Sequence, residues 1–124
     1  MERAKALELY EKVVATNPKV ERKGDTMSYT SLNGHMFSLF TKENKLTLRL
    51  PDVERESFLA RYKTTLSTQY GFVMPEYVVV PDALLAKTAD LKRYFDMSYA
   101  YVSSLRPKAT TKKKGQPSKK RPRR

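Results

Sequence analysis

The last large apolar side chain in this sequence is Leu105, and everything beyond it is Lys, Arg, Pro, Gly, Ser, Thr, Gln or Ala. A segment that can bury nothing apolar cannot offset the entropy of being ordered. Any core must therefore be built from residues 1–105, and residues 106–124 are expected to form a disordered basic tail. Charge divides at the same boundary. Ten of the 25 Lys and Arg lie in residues 106–124, together with none of the 13 acids, so the net charge of +12 falls to +2 in residues 1–105. The expected folded part is nearly neutral, and attraction to polyanions is a property of its appendage.

A chain of 124 residues is one domain's worth. Cysteine is absent, which excludes a disulfide framework and thiolate metal or redox sites. No apolar run approaches the roughly 18 residues that span a bilayer, and the first residues, Met1 to Glu8, do not read as a secretory signal. The expected address is cytoplasmic, with nucleoid association, or nuclear in a eukaryote given the run Lys119 to Arg124.

Residues 2–16 show helical spacing, with Ala6, Leu9 and Val13 beside Leu7, Tyr10 and Val14 on a broad apolar stripe. Asn17-Pro18 should end that helix. Asn33-Gly34, between Thr26–Leu32 and His35–Phe40, is the two-residue signal of a type I′ hairpin. Leu46, Leu48 and Leu50 alternate with polar neighbours, predicting a third strand with one buried face. Pro51-Asp52 opens a second helix, with Phe58, Leu59, Tyr62 and Leu66 on its apolar face. Phe72–Met74 and Tyr77–Val80 are expected as a second strand pair broken by Pro75-Glu76. Asp82 is expected to cap a short helical turn. Thr88 is expected to cap a longer helix striped by Leu91, Tyr94, Phe95, Ser98, Val102 and Leu105. The predicted fold class is α+β, a two-layer arrangement of an antiparallel sheet packed with helices, in the order α-β-β-β-α-β-β-α.

The residues offer no catalytic centre. His35 is the only histidine, no nucleophile or orienting carboxylate is marked beside it, and it reads as a turn or strand residue. Asp52, Glu54 and Glu56 cluster where a helix N-terminus favours negative charge, so they are read as capping rather than metal-ligating. The glycines, Gly24, Gly34, Gly71 and Gly115, are too dispersed for a phosphate-binding loop. No catalytic residue, cofactor or metal is expected, and the protein is expected not to be an enzyme. Among the tyrosines, Tyr94 fits the core stripe. Tyr99 and Tyr101 cannot both face inward from one helix, leaving one as a half-buried ring or as part of a partner surface.

The chemistry expected of this chain is in its tail. Lys112, Lys113 and Lys114 form one cluster, and Lys119, Lys120, Arg121, Arg123 and Arg124 a second, joined by Gly115–Ser118. Flexible cations neutralise phosphates and release counterions, which gives affinity without sequence selectivity. The tail has no aromatic residue and so cannot stack on bases. Two readings stand: non-specific association with nucleic acid, or a protein-interaction module with an unidentified protein partner and an incidental tail.

Three stretches carry a resemblance: Gly34-His35-Met36-Phe37-Ser38-Leu39, Leu46-Thr47-Leu48-Arg49, and Tyr77-Val78-Val79-Val80-Pro81. Together with an acidic helix centred on Phe58, their order and spacing over roughly residues 4–105 resemble the TfoX N-terminal domain family (TfoX/Sxy). The family's Met-Phe-Gly-Gly run is replaced here by Gly24-Asp25-Thr26-Met27. Because the chain shows only a tail after Leu105, the resemblance is to a stand-alone member without the C-terminal domain. It implies a regulator or co-activator rather than an enzyme and supplies no catalytic residues.

Overall fold

The structure is a computed structural model that describes residues 1–24 and 27–107. Helix α1 spans Arg3–Val14, strands β1, β2 and β3 span Tyr29–Leu32, His35–Phe40 and Leu46–Arg49, and helix α2 spans Asp52–Tyr62. Strands β4 and β5 follow at Leu66–Gln69 and Phe72–Val80, then helices α3 and α4 at Asp82–Leu85 and Thr88–Ser103. The sheet order is β1-β2-β3-β5-β4 and every pairing is antiparallel. The fold is thus α+β, with the predicted alternation of elements, and α3 is the short helical turn expected at Asp82. Among the described residues no helix is long and apolar enough to cross a membrane.

The first three strands follow from turn chemistry and alternation. Asn33 and Gly34 take φ values of 55° and 82°, the pair of left-handed residues that a type I′ turn requires, and Leu32 faces His35 across it. Leu46 and Leu48 of β3, with Val78 and Val80 of β5, point into one apolar cluster. That cluster also holds Ala6, Leu9, Tyr10, Val13, Phe58, Leu85, Leu91, Phe95 and Val102 from the four helices, so the helices share one face of the sheet. α1 stops at Val14, short of the expected residue 16, because the next amides, of Thr16 and Asn17, bond back to Val13 and Val14 and tighten into a 3₁₀ turn.

A β-bulge adapts the sheet to its helices. Thr30 pairs with Ser38 and Ser31 with Met36, leaving Phe37 as the extra residue in β2. The ring of Phe37 enters the helix layer between Phe95 and Tyr99 of α4, at 5.5 and 5.8 Å. Ser98 of α4, fully buried, brings its Oγ to 3.0 Å from the Phe37 carbonyl oxygen and 2.5 Å from that of Arg49. A small hydroxyl at that helix position serves backbone acceptors that the bulge and the end of β3 expose.

On the α1 side, Tyr10 stacks on Phe40 at 5.8 Å and shares a 2.7 Å hydrogen bond with Ser38, which in turn contacts Thr30. Burial pushes the Tyr10 phenol up to about 12, against the lowering effect of its bonds with Ser38 and Thr30. A phenol whose folded value exceeds the unfolded one of about 10 contributes stability that is intact below pH 10 and lost as pH rises through 12. Comparing wild type with Tyr10→Phe by urea unfolding should therefore show a wild-type-specific loss of about 2 kcal/mol between pH 9 and 12, absent from the variant. Equal alkaline losses would contradict the burial of this hydroxyl.

The segment from Lys63 to Val80 differs from expectation in placement, although the element order stands. α2 ends at Tyr62 because Lys63 turns left-handed (φ 51°, ψ 48°) and the Thr64 amide closes onto the Leu59 carbonyl at 3.2 Å, a Schellman-type stop. Leu66 therefore belongs to β4 rather than to the helix. β5 is a single nine-residue strand in which Pro75 sits inside a register slip, since Leu66 faces Val78 while Thr68 faces Val73. A proline in such a slip costs no ladder bond. Asp82 and Thr88, expected as caps, are the first residues of α3 and α4 and make no side-chain cap; Asp82 instead pairs with Lys45 at 3.2 Å.

Candidate functional site

The tail cations singled out above, Lys112 to Lys114, Lys119 to Arg121, Arg123 and Arg124, lie outside the described residues. The structure does place the residues that lead into them. α4 gives way at Ser104, and the Arg106 carbonyl lies 2.8 Å from His35 Nε2, while Arg49 Nη1 lies 3.5 Å from His35 Nδ1. A carbonyl can only accept, so His35 Nε2 donates to the Arg106 oxygen. His35 thus fastens the start of the tail to the head of β2.

Arg49 is the centre of a wider polar cluster drawn from β2, β3, β5 and α4. Its guanidinium meets the Glu76 carboxylate at 2.7 Å and lies 5.5 Å from the Tyr101 ring and 6.0 Å from the Tyr77 ring. Tyr101 donates to the second Glu76 oxygen at 2.8 Å, and Tyr77 donates to the Met36 carbonyl at 2.6 Å. Burial works to raise the Glu76 pKa, but the hydrogen bonds from Tyr101 and Arg49 outweigh it and hold the carboxyl below its ordinary range. Burial raises Tyr77 and, with its bond to Glu76, Tyr101. Both Glu76 oxygens are engaged, so this cluster acts as a clamp between β5 and the last turns of α4.

Because the folded Glu76 value is depressed, its contribution to stability is present above the unfolded carboxylate range near about 4.3 and is lost as pH falls through the folded value. Glu76→Gln should cost about 1 kcal/mol at pH 7, a small figure because the pair is partly solvated. That gap should close in urea midpoints as pH falls below about 4.3 and through the depressed folded value. A gap independent of pH would contradict the charged pair.

A groove runs between α2 and the segment formed by α3 and α4. Three adjoining cavities of about 360, 260 and 90 Å³ share Arg61 in their linings. Arg61, Lys63, Lys87 and Arg93 present cations around them, against Asp90 and Glu54. Among the described residues none of those four cations takes part in an ion pair. Tyr62 and Tyr94 line the groove and pack on the buried Phe58, the three rings lying 4.8 to 5.8 Å apart. Tyr62 donates to the Tyr94 hydroxyl at 3.4 Å, and burial together with that bond raises the Tyr62 pKa. An excess of cations around an open groove attracts anionic groups.

No protein-family model matches this chain. No curated protein matches it either.

Asp52 and Glu54 lie in the first turn of α2, and Asp52 pairs with Arg55 at 2.5 Å. Among the described residues no three His, Asp or Glu side chains converge as a metal site would need. Tyr94 is buried, while Tyr99 and Tyr101 are both half-buried, the first against Phe37 and the second on Glu76. Phe72, expected only as a strand residue, and Tyr70, given no role from the sequence, are the most exposed aromatic rings among the described residues. The signal was two rings flanking Gly71, with Thr68 and Val73 marking strands on either side.

Proposed function

We propose that this protein is a non-enzymatic accessory or regulatory protein of TfoX-like type that associates with nucleic acid, its Lys/Arg-rich tail supplying affinity independent of sequence. One observation carries this reading: ten cations and no acids in residues 106–124, attached to a part of net charge +2. A polycation of that density displaces counterions from a phosphate backbone. We expect the residues after Arg106, which His35 holds, to behave as a random coil with a reach of roughly 25 Å. Lys112 to Lys114 and Lys119 to Arg124 can then touch phosphates while the folded part stands clear.

The cationic groove supports the same reading, since it adds positive charge on the folded part. The TfoX-like assignment is supported by the element order and by Arg49, the last residue of the Leu-x-Leu-Arg strand and the centre of the cluster that ties four elements together. A cytoplasmic, nucleoid-associated address fits this role. The test is removal of the tail after Pro107, which leaves the core intact because it lies within Ala6 to Val102. Most duplex binding at low salt should disappear. Retention of binding, or capture of one defined protein partner by the truncated chain, would favour the interaction-module reading instead.

A further inference from the structure

The hairpin joining β4 to β5 exposes aromatic rings that contribute nothing to the core. Tyr70 and Phe72 are 75% and 76% exposed, and Val73 is 59% exposed. Tyr70 and Gly71 adopt φ values of 53° and 80°, the type I′ pair whose first position normally takes Asn, Asp or Gly. A bulky residue held left-handed carries backbone strain, and here no burial compensates for it. The ring is thus presented outward at a cost to the fold. Beside it, the Lys42 ammonium lies 5.5 Å from the Tyr70 ring centre, and Thr68 and Gln69 border a shallow cavity of about 150 Å³ with Thr41, Glu43 and Lys45.

We propose that Tyr70 and Phe72 form a stacking platform for unpaired bases of single-stranded nucleic acid, with Lys42 placed for the adjoining phosphate. This rests on the nucleic-acid reading above and extends it. Exposed rings accept any base face, and a neighbouring cation suits the backbone that carries it. Charge complementarity selects this occupant: the ten cations of residues 106–124 draw polyanions to the chain, and Lys42 beside Tyr70 meets the backbone at the hairpin itself. The tail lacks aromatic residues and cannot tell single strands from duplexes, whereas the hairpin can, since paired bases keep their faces stacked on each other. The folded part therefore adds a preference that the tail cannot supply.

The test measures binding of the full chain to a 15-nucleotide oligothymidylate and to a 15-base-pair duplex by fluorescence anisotropy. Wild type is compared with Tyr70→Ala/Phe72→Ala and with the conservative pair Tyr70→Phe/Phe72→Tyr. Both positions are exposed, so the variants should unfold at the wild-type temperature. The alanine pair should lose about 30-fold or more in single-strand affinity, from two rings at the low end of what base stacking contributes, while duplex affinity stays within about twofold. The conservative pair should bind like wild type. If the alanine pair binds the single strand as well as wild type, or loses duplex affinity equally, the platform is overturned and the tail reading survives. A dimer lost in the alanine pair, with single-strand binding unchanged, would assign the hairpin to a second copy and also overturn it. Wild type binding neither probe would instead overturn the nucleic-acid reading itself.

Discussion

Phe37→Ala should lower the stability of the folded part by about 3–5 kcal/mol, the range for deleting a fully buried phenylalanine. Phe37 is completely buried and touches α4 at both Phe95 and Tyr99. As the bulged residue of β2 it is the point at which the sheet enters the helix layer. Its loss removes apolar transfer energy and two aromatic contacts, and leaves a space that a sheet fixed on both sides by β1 and β3 cannot collapse to fill. For a folded part of this size the melting temperature should fall by about 15 °C or more. Phe37→Leu, which keeps most of the volume, should cost far less. Urea unfolding of the three chains measures this directly, with the midpoint moving and the slope unchanged. A loss under 1 kcal/mol in the alanine variant would mean that Phe37 does not reach α4 and that the bulge is misplaced.

Elements written in local chemistry were legible from the residues. Asn33-Gly34 announces its turn because few other pairs accept two left-handed residues, and the Leu46-Leu48-Leu50 alternation marks the face of β3 that meets the apolar cluster, although β3 does not have the single buried face expected, since Thr47 is buried too. The stripe Leu91, Tyr94, Phe95, Ser98 and Val102 is likewise the buried face of α4. β4 was hidden because Leu66 falls at helical spacing from Phe58 and Tyr62, and α2 is stopped by a left-handed Lys63 where glycine would have been the usual sign. The Tyr70-Gly71 turn was hidden for a related reason, since tyrosine is a poor occupant of its first position. The Arg49 cluster could not be foreseen at all. It gathers residues from four elements that only strand pairing brings together, and no local spacing records that pairing. Of the candidate site, the tail was legible as composition alone, and the groove cations Arg61, Lys63, Lys87 and Arg93 passed for ordinary helix and loop surface.

The second large effect concerns the tail. Ending the chain at Pro107 removes nine Lys and Arg and no acid, but none of the buried core residues, so stability should change little while polyanion binding collapses. Each neutralised phosphate contributes about −0.9 to the slope of log affinity against log salt on duplex DNA. With six or more of the nine tail cations engaged, the full chain should lose about 10³-fold in affinity between 50 and 200 mM salt. The truncated chain, left with the sparse cations of its folded part, should bind weakly and with a slope of about −2 or shallower. The most direct measurement is therefore a salt titration of duplex binding by both chains. The account predicts a slope of about −5 or steeper for the full chain and its loss on truncation; equal slopes and equal affinities for the two chains would contradict it.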